Sequence, residues 1–401
     1  MKYLLFISLL ITSSAFCQTI NLKKVIDANI DSDIESLNTV SQSSSWKNVY
    51  PSDFKIPKGF KNYELIHQII DYDQVAYQSC NGAVWDKNRI KGFINRWGLD
   101  TTGCSPLFIN SFIHGVIGKY NGQESYIIDE NNNLDLTDEE IITISDSINQ
   151  THKIVFERFI SNKTVLDTVT INVLTPKLDK NGALKGLNFK YCEYRVGNFI
   201  IDNEMVEIKL YPGRWYLYHK EPKIAISSPE GNQALSVNQY FKHKDSYYQI
   251  LNIDKKGYTF TIKEHSTEET PNSNQVGYFV PDFKISDSLQ LSDLKGSYVY
   301  LYFWNIDCGA CEFGLPTKYK KLNQEKYKDL EVVLISVAKP TATEKFLDEN
   351  NISWTNVKTV GNSQIFNDFD VKRYPSQYLI DDAGIIIEKG SFIDIEKYFK
   401  E

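Results

Sequence analysis

Cys308 and Cys311 stand where an apolar run ends and a helix-forming run begins, and this junction narrows the choice of fold more than any other part of the chain. The β-prone run is Ser297–Trp304, and the helix-forming run is Cys311–Tyr327. A thiol at a helix N-terminus faces unpaired backbone N–H groups and the positive end of the helix dipole, and both favour the thiolate. We therefore expect Cys308 to be a nucleophile and Cys311, within reach in the first helical turn, to be its resolving partner.

The sequence after this pair alternates strand and helix signals. It predicts, in order, a strand at Leu330–Val337, a helix at Thr341–Asn350, a short helix at Ser363–Phe369, strands at Gln377–Asp381 and Ile385–Lys389, and a closing helix at Asp394–Lys400. Such alternation is typical of an α/β layer with crossover connections. We predict that residues 276–401 form a domain of this kind.

Several short motifs of this region occur together in one protein family. They are Val280–Phe283, Leu291–Gly296, Tyr302–Trp304, Cys308–Cys311 and Tyr374–Asp381. With them, residues 276–401 resemble the TlpA-like and ResA-like extracytoplasmic thioredoxin-fold oxidoreductases of bacteria. The resemblance implies a thioredoxin-like domain that exchanges disulfides with cysteine-containing protein substrates and with an electron-donor protein. It implies no cofactor besides the redox-active pair of Cys308 and Cys311.

The same resemblance implies roles for three further residues. The proline that matches Pro375 is cis in the family and lies against the cysteines, and an X-Pro bond is the only kind in which the cis form costs little. Tyr374 and Pro375 are therefore the expected substrate-binding residues, which hold an incoming chain by strand-like backbone hydrogen bonds. Trp304 is expected to pack beneath the site as structural support.

Three positions depart from the family pattern. Asp307 stands where an aromatic residue is common, and Ala310 stands where a proline is frequent. Gly314 replaces a glutamate that assists proton transfer in many relatives. Glu312 is a poor substitute for that glutamate, because it lies about 100° around the helix from Cys311.

The charges near the cysteines predict a direction of electron flow. Asp307 and Glu312 place two carboxylates near the thiols, and like charge disfavours a thiolate. The nearest cation in the sequence, Lys318, lies too far along the helix to be assumed close. Because strong oxidants of this fold depend on a very stable reduced thiolate, we predict a reductase-like domain.

Other interpretations of the cysteine pair stay open. A zinc site would need a second pair of ligands, and the nearest histidine is His265. A peroxidase would resemble peroxiredoxins in having Thr or Ser three residues before its cysteine, where this chain has Asn305. The competing function from another class is a non-enzymatic secreted binding protein that carries a redox-inactive thioredoxin-like domain.

The preceding part of the chain is interpreted as β-rich. Residues 108–264 contain short β-prone runs separated by turn signals such as Asn121-Gly122, which predict a meander or sandwich. Residues 18–107 indicate no clear fold apart from a helix around Tyr63–Ile70, and a polar linker is predicted at residues 265–275. The predicted architecture is therefore multidomain, with a β-rich region before the α/β domain. The predicted strands are Lys153–Ile160, Val165–Val173, Leu187–Tyr194, Asn198–Ile201, Val206–Tyr211, Tyr247–Ile253 and Tyr258–Lys263.

Residues 1–17 have the pattern of a secretory signal peptide, with Lys2 as the positive start and Leu4–Ile11 as the short apolar core. Cleavage after Cys17 leaves Gln18 first and places the protein outside the cytoplasm, in the periplasm or secreted; a lipid anchor on Cys17 is disfavoured by the bulky residue before it. No later run approaches about 18 apolar residues, so no transmembrane span is expected in the mature chain. A formal charge of −7 without a basic run makes nucleic acid a poor partner.

The other cysteines predict one structural disulfide. Cys80 and Cys104 are the only remaining pair close enough in sequence to suggest a local bridge, which leaves Cys192 free. In an oxidising compartment such a bridge stabilises a fold by constraining the unfolded chain.

An acidic loop at residues 129–140 resembles a calcium-binding loop. Oxygen-bearing side chains stand at its positions 1, 3, 5, 9 and 12, which is EF-hand-like spacing. Leu134 occupies position 6, where the turn favours glycine, so a solvated turn is the simpler interpretation. The candidate calcium ligands are Asp129, Asn131, Asn133, Asp135 and Glu140.

Overall fold

The computed structural model divides the chain into two units. The N-terminal unit comprises residues 17–238 and 250–262, and the C-terminal unit comprises residues 239–249 and 263–401. The structure describes residues 17–27, 30, 33–40, 44, 46–82, 84–86, 88–97, 99–213, 222–228, 231–265, 269–337, 339–359 and 364–399. The predicted signal peptide, apart from Cys17, lies outside these residues.

The N-terminal unit is built mainly from antiparallel strands, with two helices. Its elements up to residue 235 are, in chain order, β1 (Cys17–Asn21), β2 (Lys23–Ile26), β3 (Ile34–Thr39), β4 (Phe60–Ile69), α1 (Tyr72–Asn81), α2 (Arg89–Trp97), β5 (Phe112–Tyr120), β6 (Gln123–Ile128), β7 (Ile142–Thr143), β8 (Gln150–Ile160), β9 (Lys163–Leu178), β10 (Leu184–Tyr191), β11 (Glu193–Ile201), β12 (Glu204–Tyr211), β13 (Lys223–Ser228) and β14 (Gly231–Leu235). An eight-stranded sheet has the order β7-β6-β5-β4-β3-β10-β9-β8, and a five-stranded sheet has the order β14-β13-β12-β11-β2.

Strand β4 corrects two of the sequence-based interpretations. The helix predicted around Tyr63–Ile70 is wrong, because these residues belong to β4, which pairs with β3 on one side and β5 on the other. Backbone pairing on both edges outweighs a local apolar pattern that also fits a helix. The same pairing places the boundary proposed between residues 107 and 108 inside one sheet, so residues 18–107 and 108–264 are not separate structural regions.

The turn at Asn121-Gly122 joins β5 to β6 in the predicted hairpin. Both residues have positive φ, 52° and 85°, and Tyr120 lies opposite Gln123 in the ladder. Asparagine and glycine tolerate this left-handed conformation, which matches the twist of the two strands. The turn predicted at Asn121-Gly122 is therefore confirmed, and it joins β5 and β6 as neighbouring antiparallel strands.

The disulfide predicted between Cys80 and Cys104 is absent, and all six cysteines of the chain are free thiols. Cys80 is buried in an apolar cluster with Trp85 and Val75. Cys104 instead lies 3.8 Å from the ammonium nitrogen of Lys255. The two side chains therefore have different neighbours, although Cys80 and Cys104 are close in sequence.

The C-terminal unit has the α/β organisation that the sequence predicts. Its further elements are β15 (Tyr240–His243), β16 (Ser246–Ile253), β17 (Thr259–His265), β18 (Tyr298–Trp304), α3 (Gly309–Leu322), β19 (Leu330–Val337), α4 (Pro340–Glu349), β20 (Thr355–Thr359), α5 (Gln364–Asp368), β21 (Ser376–Ile380) and β22 (Ile386–Gly390), and the division between the units cuts β16 and β17. A five-stranded sheet has the order β20-β19-β18-β21-β22. The closing helix is a single 3₁₀ turn at Ile395–Tyr398.

Central strand β18 positions the cysteine pair. It is parallel to β19 and antiparallel to β21, and its alternate side chains enter two separate apolar clusters. Tyr300, Tyr302 and Trp304 face the cluster that contains Cys311, whereas Leu301 and Phe303 face the other. Both faces of the strand are buried, which explains why its sequence is a continuous apolar run. Helix α3 begins a few residues after the strand ends at Trp304.

The second half of the predicted linker is packed within the C-terminal unit. Gln275 accepts a hydrogen bond from the backbone N–H of Tyr240 at 2.7 Å and donates one to the carbonyl oxygen of the same residue at 2.8 Å. The Tyr278 ring stacks on the Tyr240 ring at 6.1 Å. Residues 266–268 lie outside the described part of the chain.

Within the described ranges, none of the helices has the length and apolar character needed to cross a membrane.

Candidate active site at the start of helix α3

Cys308 caps the N-terminus of α3. Its sulfur accepts a hydrogen bond from the backbone N–H of Cys311 at 3.3 Å, and the same N–H also donates to the Cys308 carbonyl oxygen at 2.9 Å. The Cys308 backbone N–H in turn donates to the carbonyl oxygen of Asn305 at 3.0 Å. The predicted junction is therefore present, with the first thiol directed at the positive end of the helix.

The two thiols differ in accessibility. Cys311 is fully buried, whereas Cys308 is partly exposed. Burial raises the pKa of the Cys311 thiol, and its hydrogen bond with Cys308 acts in the same direction. The arrangement presents one sulfur to an incoming molecule and keeps the other neutral and out of contact with solvent.

Tyr374 and Pro375 lie next to Cys308, although they are far from it in sequence. The Cys308 thiol donates to the carbonyl oxygen of Tyr374 at 3.5 Å, and the Tyr374–Pro375 peptide bond is cis, as the family resemblance implies. Strand β21 starts at Ser376, which lies opposite Phe303 in β18. The antiparallel pairing of these strands thus brings residues 374 and 375 to the edge where α3 begins.

Trp304 lies at the end of β18 and is fully buried. Its indole N–H donates to Oδ1 of Asn356 at 3.3 Å, and its ring packs against Phe346 with 5.5 Å between centroids. These contacts place Trp304 in the core behind the cysteines.

The charge distribution differs from the one that the sequence indicates. Lys339, which precedes α4, forms an ion pair with Asp307. The carboxylate before Cys308 is therefore compensated by a cation from a different element, and the expectation of two unopposed acids is wrong for Asp307. For Glu312 the described residues provide no ion pair. The sequence named Lys318 as the nearest cation, too far along the helix to be assumed close, and spacing along the chain did not identify Lys339.

An exposed aromatic residue adjoins the pair and was also missed. Phe313 follows Glu312 in α3 and is 84% exposed. Gly309 and Ala310, between the cysteines, are exposed as well. An apolar ring without cover in the helix that Cys308 caps is suited to contact another chain. The sequence gives little reason to single out Phe313, because isolated exposed apolar residues are common.

In the acidic loop, side-chain oxygen atoms of Asp129 and Asp135 are paired with groups of the protein. Both carboxylate oxygens of Asp129 accept backbone N–H groups, from Asn133 at 3.1 Å and Leu134 at 2.9 Å, and Asp135 pairs with Lys55 at 2.7 Å. Leu134 adopts a φ of 65°, the turn conformation expected at position 6. No group of three or more His, Cys, Asp or Glu side chains in the described residues is arranged to hold a metal ion. Calcium binding by Asp129, Asn131, Asn133, Asp135 and Glu140 stays a prediction.

Comparison with known proteins identifies relatives of the C-terminal part of the chain. Residues 276–389 match the AhpC/TSA family. The chain is 28% identical over 120 residues to a thiol-disulfide oxidoreductase ResA of Bacillus cereus, a match that covers 29% of this chain and 69% of the relative. It is 29% identical over 153 residues to the protein of the same name from Geobacillus kaustophilus, covering 36% of this chain and 86% of that relative.

Solved structures match the same region. A putative thiol:disulfide interchange protein DsbE from Chlorobium tepidum shares 28% identity, with a TM-score of 0.28, over 31% of this chain and 89% of that one. The thioredoxin domain of a thiol-disulfide oxidoreductase from Bacteroides vulgatus shares 23% identity, with a TM-score of 0.29, over 31% of this chain and 99% of that one.

Proposed function

We propose that the C-terminal unit, whose residues 276–389 form a thioredoxin-like domain of the AhpC/TSA family, is a thiol-disulfide oxidoreductase that acts outside the cytoplasm. The observation that carries the proposal is the pairing of an accessible Cys308 sulfur at a helix N-terminus with a buried Cys311 one turn away. A reachable nucleophile and a protected second thiol are what a two-step disulfide exchange requires.

The proposed reaction takes place in two exchanges. The Cys308 thiolate attacks a substrate disulfide, which forms a mixed disulfide and releases one substrate thiolate. Cys311 then loses its proton and attacks the Cys308 sulfur, which releases the second substrate thiolate and closes the Cys308–Cys311 disulfide. The substrate gains two electrons, and the released thiolates take up protons from water.

The substrate chain is proposed to dock at Tyr374 and Pro375. The Tyr374 carbonyl oxygen already lies at hydrogen-bonding distance from the Cys308 thiol, so a chain that follows this backbone reaches the sulfur. Backbone hydrogen bonds of this type accept many sequences, which suits cysteine-containing protein substrates. Trp304 supports the site from the core by holding the end of β18.

We further propose a reductase-like direction, in which an electron-donor protein restores the two thiols. The carboxylate of Glu312 contributes to raising the pKa of Cys311, after the larger effects of burial and the hydrogen bond to Cys308. Asp307 contributes less than its position in sequence suggests, because Lys339 compensates its charge. The predicted signal peptide is the support for an extracytoplasmic, periplasmic or secreted, location.

The proposal is tested with the variant Cys311→Ser. Without its resolving thiol, the protein should retain the substrate as a mixed disulfide on Cys308 that disappears on reduction. The matched control, Cys308→Ser, keeps one cysteine of the pair and should trap no substrate, because the remaining thiol is buried. Wild-type protein that neither reduces a model disulfide nor forms an adduct as Cys311→Ser would instead support a binding protein with a redox-inactive domain.

A further inference from the structure

The hydroxyl group of Tyr302 lies beneath the first turns of α3. Tyr302 is 1% exposed and belongs to the same buried cluster as Cys311. A Cβ atom built on Gly314 would lie 3.3 Å from the Tyr302 hydroxyl oxygen. Residues three apart on a helix share a face, so Cys311 and Gly314 both overlie this tyrosine.

This contact explains the glycine inside α3. Glycine is unfavourable in a helix interior, because it has more backbone freedom to lose than any other residue. At 3.3 Å a methyl group would press on the hydroxyl oxygen, which would have to move by a few tenths of an ångström. Gly314 therefore preserves the position of the Tyr302 hydroxyl beside the helix.

The Tyr302 hydroxyl differs from that of its neighbour in the same strand. Tyr300, which faces the same cluster, donates to Oε1 of Gln377 at 2.7 Å. For Tyr302 the described residues supply no hydrogen-bond partner. The Tyr302 hydroxyl is therefore not engaged by another acceptor among these residues and can donate to a group whose charge changes during the reaction.

We propose that the Tyr302 hydroxyl, which makes no hydrogen bond to the neutral Cys311 thiol, donates one to the Cys311 thiolate when that thiolate forms, and so stabilises it during the resolving step. This inference rests on the proposed oxidoreductase function and assigns a residue to its second exchange. In that step the Cys311 S–H bond gives its proton to water, the Cys311 sulfur bonds to the Cys308 sulfur, and the bond from Cys308 to the substrate breaks. The leaving substrate thiolate takes up one proton, and Tyr302 keeps its own.

Electrostatics around the tyrosine are consistent with this role. Burial raises the pKa of Tyr302, and negative charge on Cys311 and then on Cys308 raises it further, so the phenol stays protonated as a donor. The carboxylate of Glu312 contributes to raising the pKa of Cys311, and negative charge on Cys311 contributes to raising the pKa of Tyr374. Lys318 lies over the ring of Tyr300, at 5.6 Å from its centroid, and donates to the carbonyl oxygen of Ile393. None of these groups replaces a donor at the Tyr302 position.

The test compares Tyr302→Phe with the matched variant Tyr300→Phe. Both remove one hydroxyl from the same face of β18, but only the Tyr302 hydroxyl lies beside Gly314. In Tyr302→Phe we expect the mixed disulfide on Cys308 to resolve about 10- to 100-fold more slowly, the effect of losing a hydrogen bond to a charged group. The deficit should stay constant at pH values below the Cys311 pKa, which burial raises to about 12, because the thiolate fraction then rises by the same factor in both proteins. Alkylation of Cys308 by a small reagent should keep its wild-type rate in both variants, which excludes general misfolding.

A second variant, Gly314→Ala, tests the same contact without touching the tyrosine. Its methyl group should displace the Tyr302 hydroxyl and slow the resolution of the mixed disulfide when it is the only change. Combined with Tyr302→Phe, it should slow resolution no further. If Tyr302→Phe resolves the mixed disulfide at the wild-type rate, the inference is overturned. If Tyr302→Phe does not fold, a wild-type rate in Gly314→Ala overturns it instead. Because the proposed function fails only if wild-type protein and Cys311→Ser form no mixed disulfide, the two failures are distinguishable.

Discussion

The ammonium nitrogen of Lys339 lies 2.7 Å from Oδ1 of Asp307, the residue that directly precedes the accessible thiol Cys308. The two residues are 32 positions apart, and both side chains are more than half exposed. Solvent and salt screen such a pair, so its contribution is small, but it removes a negative charge from the place where the thiolate must form. The redox behaviour of the pair is therefore set partly by a residue outside its own helix.

Replacing Lys339 by Gln should make the Cys308–Cys311 pair slightly more reducing. The unmasked Asp307 carboxylate disfavours the thiolate and so the reduced form, and an exposed charge pair is worth at most about 20 mV in this equilibrium. The shift should shrink as salt is added. Lys345→Gln, which removes an equally exposed cation paired with Glu349 in α4, is the control and should leave the potential unchanged. A more oxidising potential for Lys339→Gln would contradict the charge argument.

Replacing Phe313 by Ser should weaken protein-substrate binding without changing intrinsic thiol reactivity. The ring is 84% exposed in the helix that carries Cys311, and burying such a side chain against a partner is worth enough to raise KM about tenfold when the ring is lost. Phe392→Ser, at a similarly exposed ring (78%), is the control. Steady-state kinetics with a protein disulfide and with a small disulfide separates docking from chemistry. An equal rise in KM for both substrates would count against a docking role.

Alkylation of the native protein should label Cys308 before Cys80, Cys104, Cys192 and Cys311. Burial raises the pKa of Cys104 to about 12 and also raises the pKa values of Cys80, Cys192 and Cys311. Alkylation requires an accessible thiolate, and these four thiols lack one. Mass spectrometry of peptides after timed labelling gives the order, and unfolding in denaturant should equalise the rates. A bridge between Cys80 and Cys104 in the native protein would contradict the free thiols of the structure.

The stability of the N-terminal unit should fall as the pH drops from about 6.5 toward 5, because the unfolded histidines take up protons there and the folded ones do not. His67 and His114 are opposite each other in strands β4 and β5, with their Nδ1 atoms 2.9 Å apart. Burial lowers the pKa of His67 to about 3 and lowers that of His114 as well. A depressed folded-state pKa gives stability that is fully present above the unfolded value and is lost on acidification. Denaturant unfolding across this pH window measures the slope.

The double variant His67→Gln/His114→Gln is the control for this pH dependence. It removes both titrating rings, so its unfolding free energy should change less between these pH values than that of the wild type, whatever its absolute stability. An equal slope in the two proteins would assign the pH dependence to other groups.

Local sequence signals predicted the elements around the site well. Ser297–Trp304 is apolar throughout because both faces of β18 are buried, and β18 begins one residue later than predicted. The helix at Thr341–Asn350 corresponds to α4, which starts with a proline at its first turn, where the missing N–H costs nothing. Predictions failed where pairing with distant strands decided the outcome, as for β4, whose local pattern also fits a helix.

The sequence by itself determined the junction of strand and helix that carries Cys308 and Cys311, because capping and apolar periodicity depend on neighbours within a few residues. Only the tertiary structure decided that Lys339 meets Asp307, that the Tyr374 carbonyl lies against the Cys308 thiol, and that Gly314 leaves room for the Tyr302 hydroxyl. It also decided that Cys80 and Cys104 stay apart. Each of these relationships depends on side-chain position after strands have paired and helices have packed, and spacing along the chain carries no information about that distance.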